Sequence, residues 1–189
     1  MPKLFIPLIL GTAREGRQSE KVARLIFAEL EKNEEIETQF IDVRGWVKTP
    51  VTYAPWMNSP VTKSWQELAT RADGFVVVSP EYNHGYPGEL KILLDFAYGE
   101  YEKKTVAVVG VSSGNFGGVR LIEHLQPIWN YLKMIFVPEP LSFPNIKDVF
   151  DENGTLKDES YQERVEKFVK KVVEYTREVK KMRESKSGV

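Results

Sequence analysis

The chain has 189 residues, 42% of them hydrophobic, which suits one domain over residues 1–189 with a sizeable core. Twenty-six basic and 27 acidic side chains leave a formal charge of −1, so no global field draws the protein to nucleic acid or anionic lipid, and any anion site must be local. There is no cysteine and there are two histidines, His84 and His124, which excludes disulfides, thiolate metal sites, iron–sulfur clusters and cysteine nucleophiles. Redox or hydrolytic chemistry would then have to come from a bound organic group.

The apolar run Leu4–Leu10 spans only seven residues and holds Pro7 in its middle, a poor signal-peptide core. It reads instead as a first strand, Leu8–Leu10 with a Phe5-Ile6 lead-in, and Pro7 belongs near the strand's first residue because it has no N–H for a ladder. Helix 1 follows, with Val22, Leu25, Ile26 and Leu30 at helical spacing and Ser19 as its N-cap. A second strand covers Glu37 to Val43, and the stretch from Gly45 to Pro60 has no period and reads as a long loop.

Helix 2 is expected from about Thr62 to Arg71, a doubly buried strand at Phe75–Val78, and helix 3 from about Gly88 to Tyr98 behind Pro87. Thr105–Val111 is a fourth strand. Helix 4 runs from about Gly118 to Leu132 with a kink at Pro127. Ile135–Val137 is the fifth strand, and an irregular proline-rich segment leads to a turn at Asn153-Gly154. The last helix carries Val165, Phe168, Val169, Val172, Val173, Val179 and Met182 on one face and frays from about residue 185 into the tail Lys186–Val189.

Five strands alternating with five helices imply an α/β chain of the flavodoxin-like type, a three-layer sandwich around a five-stranded parallel sheet of order 2-1-3-4-5. Ligands of such sheets sit beyond the carboxyl ends of the strands where the order reverses, here between strands 1 and 3. No apolar stretch approaches the roughly 18 residues of a membrane span. A cytoplasmic protein without nucleic-acid or membrane partners is expected, and Asn153-Gly154-Thr155 is read as a turn rather than a glycosylation acceptor.

Three loops fall on the predicted carboxyl edge. Gly11 to Ser19 combines glycines, hydroxyls, Arg14 and Arg17 ahead of a helix N-terminus, a composition suited to a phosphate. It is not a Walker loop, since Arg17-Gln18 stands where Lys and Ser or Thr are needed, and it lacks the third glycine of the dinucleotide fingerprint. Ser79 to Gly88 holds two prolines, two glycines and two tyrosines, a rigid backbone with flat side chains for a planar heterocycle. Ser112 to Gly118 offers hydroxyls and glycines for a ligand's polar edge. His84 alone reads as a surface loop histidine.

These residues carry a resemblance. With Gly11-Thr12-Ala13-Arg14 and Ser19, then Ser79-Pro80-Glu81-Tyr82-Asn83 with Gly85, Pro87, Gly88, Leu90, Lys91 and Asp95, and finally Ser113-Gly114 with Gly117, Gly118 and Arg120, the chain resembles the NAD(P)H-dependent FMN reductases of the flavodoxin-like superfamily, relatives of bacterial chromate and quinone reductases. The resemblance implies that Thr12, Arg14, Arg17, Gln18 and Ser19 hold the FMN phosphate, that Pro80, Glu81, Tyr82 and Asn83 run along the flavin ring, and that Ser112, Ser113 and Gly114 close its far side. It implies a ping-pong oxidoreductase in which reduced nicotinamide (NADH or NADPH) serves bound FMN, which serves free flavin, a quinone or another small acceptor, with no catalytic side chain and no metal. Arg17 could alternatively meet a nicotinamide 2′-phosphate. Trp46, Tyr53 and Trp56 are candidates either to shape the acceptor pocket or to serve core or interface.

Family members are typically dimers or tetramers with helices 3 and 4 near the subunit contact, so a homodimer or homotetramer is expected. The chain departs from the family pattern at Ile92, where asparagine is common, and at Phe96, where tryptophan is frequent; both positions fall on the expected helix 3, so the departures are expected to leave flavin binding intact and to bear on the details of subunit packing. An electron-carrier flavodoxin or a non-catalytic FMN-binding protein is the alternative, although carriers usually have an arginine-free phosphate loop and a strongly acidic surface.

Overall fold

The computed structural model describes residues 3–57 and 59–185. The chain opens with β1 (Leu4–Phe5) and β2 (Leu8–Leu10), parted at Pro7, then passes through α1 (Ser19–Glu31) to β3 (Ile36–Glu37) and β4 (Phe40–Asp42). β1 pairs with β3 and β2 with β4 in one continuous parallel register, Leu4 opposite Ile36 and Leu10 opposite Asp42. Hydrogen bonds from the Ile6 and Leu8 N–H groups to the Glu37 and Gln39 carbonyls bridge the interruption at Pro7. The expected first and second strands therefore each arrive as two ladder segments.

Next come α2 (Val43–Trp46), α3 (Pro60–Arg71), β5 (Gly74–Pro80) and α4 (Gly88–Leu94). A 3-10 turn at Gly99–Tyr101 leads to β6 (Thr105–Val111), α5 (Val119–Tyr131), β7 (Ile135–Phe136), β8 (Leu141–Phe143), α6 (Ile146–Val149) and α7 (Ser160–Ser185). The ladder order is β4-β2-β5-β6-β7, and β8 also pairs with β6. With interrupted strands counted once, this is the flavodoxin-like order 2-1-3-4-5, parallel throughout.

Both faces of the sheet are buried, and side-chain alternation divides the core in two. Leu8, Leu10, Val76, Val78, Ala107 and Val109 point to the layer built by α1 and α7. Ile9, Phe75, Val77, Val106 and Val108 point to the layer of α3, α4 and α5. This two-sided burial is why the central strands are uninterrupted runs of β-branched residues.

Four expectations are corrected. Gln18 occupies the N-cap of α1, and Ser19 is the helix's first residue. α4 stops at Leu94 rather than Tyr98: the Tyr101 hydroxyl accepts from Trp65 Nε1 at 2.6 Å and donates to the Leu94 carbonyl at 3.0 Å, satisfying the helix end by a tertiary contact. Val43, expected in the second strand, and Gly45 and Trp46, expected in the long loop from Gly45 to Pro60, belong to a helical turn, α2, whose N-cap Asp42 accepts from the Arg44 N–H. The proline-rich segment after Val137 contains β8 and α6. The expected tail Lys186–Val189 lies outside the described residues.

Candidate functional site

The loops leaving the carboxyl ends of β2, β5 and β6 meet around a cavity of about 220 Å³, lined by Arg14, Gly16, Arg17, Gln18 and Ser19, by Pro80, Glu81 and Tyr82, and by Val111, Ser112 and Ser113. Ile146 and Lys147 at the start of α6 complete the wall. In the first loop, no acceptor among the described residues meets the backbone N–H groups of Glu15, Gly16, Arg17 and Gln18. The Ser19 hydroxyl is buried without a hydrogen-bond partner among the described residues. Such an orphan costs free energy unless a ligand or water meets it. Arg14 is exposed and its guanidinium carbon lies 3.4 Å above the Tyr82 ring centroid.

Arg17 is placed differently. Its guanidinium is buried and donates to the Thr12 carbonyl, to both carboxylate oxygens of Asp42 and to Glu20. Burial opposes its charge, but hydrogen bonds and attraction from Asp42 and Glu20 outweigh that and hold the group above the usual arginine range. Although Arg17 borders the cavity, its donors are committed to protein acceptors, which leaves neither the phosphate nor the 2′-phosphate contact expected of it supported by the geometry. Thr12 is buried too, its hydroxyl donating to Glu89 at 3.1 Å, meeting the Tyr82 hydroxyl and accepting from the Arg14 N–H.

The second loop closes as a hairpin in which Tyr82 and Gly85 exchange backbone hydrogen bonds at 2.9 and 3.0 Å. Its central residues Asn83 and His84 both have positive φ, 49° and 64°, the type I′ pattern that ordinarily selects glycine in the second place. Glu81 is tied across the site, its carboxylate accepting from the Arg120 N–H at the start of α5. In the third loop the Ser112 hydroxyl accepts from the Gly114 N–H. The Ser112 and Gly114 carbonyls accept from Ile146 and Asn145. Asn83 and Gly114 do not line the cavity. Gly117 and Gly118 serve packing, since a Cβ on Gly118 would lie 2.9 Å from the Gly110 backbone and one on Gly117 would lie 2.8 Å from Ser142.

A second, larger cavity of about 730 Å³ adjoins the first across the Arg14–Tyr82 stack. Val47 to Pro50 and Tyr86 to Glu89 form its walls, with Ile92 from α4.

A sequence model of the family described as NADPH-dependent FMN reductase matches residues 5–148. The chain belongs to the NADPH-dependent FMN reductase family. It is 29% identical over 147 residues to a Schizosaccharomyces pombe protein named NAD(P)H-dependent FMN reductase, covering 72% of this chain and 70% of that one. It is 25% identical over 181 residues to the 2-hydroxy-1,4-benzoquinone reductase of a Burkholderia species, covering 93% and 97%. The fold is shared with FerB, a flavoenzyme NAD(P)H:(acceptor) oxidoreductase from Paracoccus denitrificans, at a TM-score of 0.76 with 19% identity over 93% of this chain and 98% of that one.

As a family member the chain is an FMN-dependent NAD(P)H oxidoreductase, and its loops fit the cofactor. N–H groups and a buried hydroxyl without partners among the described residues, with an exposed arginine, form a donor set for a phosphate. Of the two roles open to the aromatic candidates, the acceptor-pocket role is not the one their positions favour. Trp46 packs edge-on against buried Trp65 with centroids 5.2 Å apart, Tyr53 lines a small cavity with Trp46, Val61 and Phe96, and Trp56 lies at a separate cavity between α4 and α5. None of the three reaches the cavity beside Tyr82. Ile92, expected to bear on subunit packing, does reach it, whereas Phe96 is a buried core residue beyond the end of α4. Sequence reasoning missed Val47, Lys48, Tyr86, Ile146 and Lys147. Tyr86 lay within the motif already singled out; the others carry no periodic or compositional signal.

Proposed function

We propose that this reductase binds one FMN across the three loops and passes reducing equivalents from reduced nicotinamide to small oxidised acceptors, free flavins or quinones. The observation that carries the reading is the Ser19 hydroxyl, buried without a partner among the described residues at the end of a loop whose N–H groups at residues 15–18 likewise meet no acceptor among them. When bound, FMN supplies a two-electron carrier. The chain's residues bind and orient it. The N–H groups of residues 15–18, Ser19 Oγ and Arg14 hold the phosphate, Pro80 to Tyr82 support the ring, and Ser112 and Ser113 meet its polar edge. The cavity walled by Tyr86, Ile92 and Val47 to Pro50 suits the nicotinamide and acceptor in turn, with Lys48 on its rim for anionic groups. Quinone as acceptor is supported by the Burkholderia relative's name.

The family resemblance, together with a cavity of about 680 Å³ between α4 and α5 rimmed by exposed Trp56, Tyr98 and Tyr131, supports a homodimer or homotetramer. Supply of reduced nicotinamide supports a cytoplasmic location. The decisive experiment is to load the purified protein with FMN and titrate it anaerobically with NADPH and NADH. The visible flavin bands should bleach rapidly and return on adding a quinone. Failure to retain or rebind FMN overturns the reading, and bleaching that requires a partner reductase points to an electron carrier.

A further inference from the structure

Three successive carbonyl groups of the first loop are held by two arginines, one from the loop itself and one from α2. Arg17 Nη1 donates to the Thr12 carbonyl, Arg44 Nε to Ala13 at 3.0 Å, and Arg44 Nη2 to Arg14 at 2.6 Å. One carboxylate organises both. Asp42, the last residue of β4, accepts from Arg17 through both oxygens and from the Arg44 backbone N–H at 3.0 Å. Burial raises the Asp42 pKa, but hydrogen bonds from Arg17 and the Arg44 N–H more than offset it, so the group is held below the usual carboxylate range and stays charged.

The peptide planes that carry these carbonyls also carry the N–H groups of Ala13, Arg14 and Glu15, so holding them sets the start of the stretch, residues 15–18, whose N–H groups meet no acceptor among the described residues. A carboxylate this near a phosphate loop is electrostatically wrong for binding a phosphate unless it acts on the loop's shape. We infer that Asp42 is a positioning residue for the FMN phosphate, acting through Arg17 and Arg44 to set the backbone of residues 12–18. The inference rests on the FMN reading above and goes beyond it by assigning work to an acid that simple charge arguments would count against binding.

The two accounts of Asp42 predict opposite signs. Neutralising it by Asp42→Asn should tighten FMN binding if charge is all that matters, and weaken it if position matters. The test measures dissociation constants of the apo protein for FMN and for riboflavin, which lacks the phosphate, by quenching of flavin fluorescence, with the apo melting temperature as a check on folding. We expect Asp42→Asn to weaken FMN about tenfold or more while riboflavin changes little, since charged hydrogen bonds are worth about a decade in affinity. Arg44→Lys, an exposed and charge-conserving change, gives a second reading that survives if Asp42→Asn does not fold. It should show the same selective loss because one ammonium cannot reproduce the grip on two carbonyls. FMN binding that is unchanged or tighter in Asp42→Asn, or equal losses for FMN and riboflavin in either variant, overturns the inference. A wild-type protein with no preference for FMN over riboflavin overturns the functional reading itself.

Discussion

Arg17 and Ser19 stand two residues apart in the same loop and have opposite environments. Both read from the sequence as candidates to hold a phosphate, but only folding shows that the arginine is spent on Asp42, Glu20 and the Thr12 carbonyl while the serine hydroxyl has no partner among the described residues. Asp42 is distant in sequence and its arrival beside Arg17 depends on strand pairing, so no local pattern could reveal it. The Tyr82–Gly85 turn is similar: its residue types were readable, its two consecutive left-handed residues were not. His84 has φ of 64° and is exposed, so it carries strain without burial to offset it. Replacing it by glycine should stabilise the apo protein by about 0.5–1 kcal/mol, seen as a higher urea midpoint at unchanged slope. A lower midpoint would mean that the imidazole makes contacts outweighing the strain.

At the level of elements, β6 falls at the residues expected, Thr105–Val111, because burial on both faces leaves a continuous apolar run. β8 and α6, of three and four residues, show no period and exist because β6 offers them an edge and the 112–114 loop offers them carbonyls. The long helix α7 was evident from its apolar face, but its anchor was not. Near its C-terminal end Lys180 and Arg183 reach Asp73 at 2.9 and 2.6 Å, and Asp73 also accepts from the Phe5 N–H at 3.1 Å. Burial pushes the Asp73 pKa up, while Lys180, the Phe5 N–H and Arg183 pull it further down, so its net position is below the ordinary value. A lowered folded-state pKa means stability that is present above the unfolded value, near 4, and lost as pH falls through the folded one. Asp73→Asn should therefore cost about 2–3 kcal/mol near neutral pH, with the gap to wild type narrowing below about pH 4. Denaturation curves showing a constant gap from pH 7 to pH 3 would refute this.

On the scale of the molecule, the exposed aromatic face is the feature the isolated chain leaves unexplained by its own packing. Trp56 is 86% and Tyr131 70% exposed, and the Tyr131 ring lies 5.6 Å from that of Tyr98. If this face is the subunit contact, Tyr131→Glu should shift sedimentation toward monomer while the circular dichroism stays native; an unchanged assembly would place the contact elsewhere. The sequence by itself determined the strand order, because alternating apolar periods and right-handed crossovers leave few topologies, and its loop motifs at the strand ends carried the resemblance to the family. Only the tertiary structure decided which of those loop residues keep donors without an acceptor among the described residues, where Trp46 and Ile92 lie, and that an acid from the neighbouring strand holds Arg17 of the first loop. The reason is physical: residue type sets what a side chain can bond to, but which partner it meets depends on strands and helices brought together from far apart in the chain.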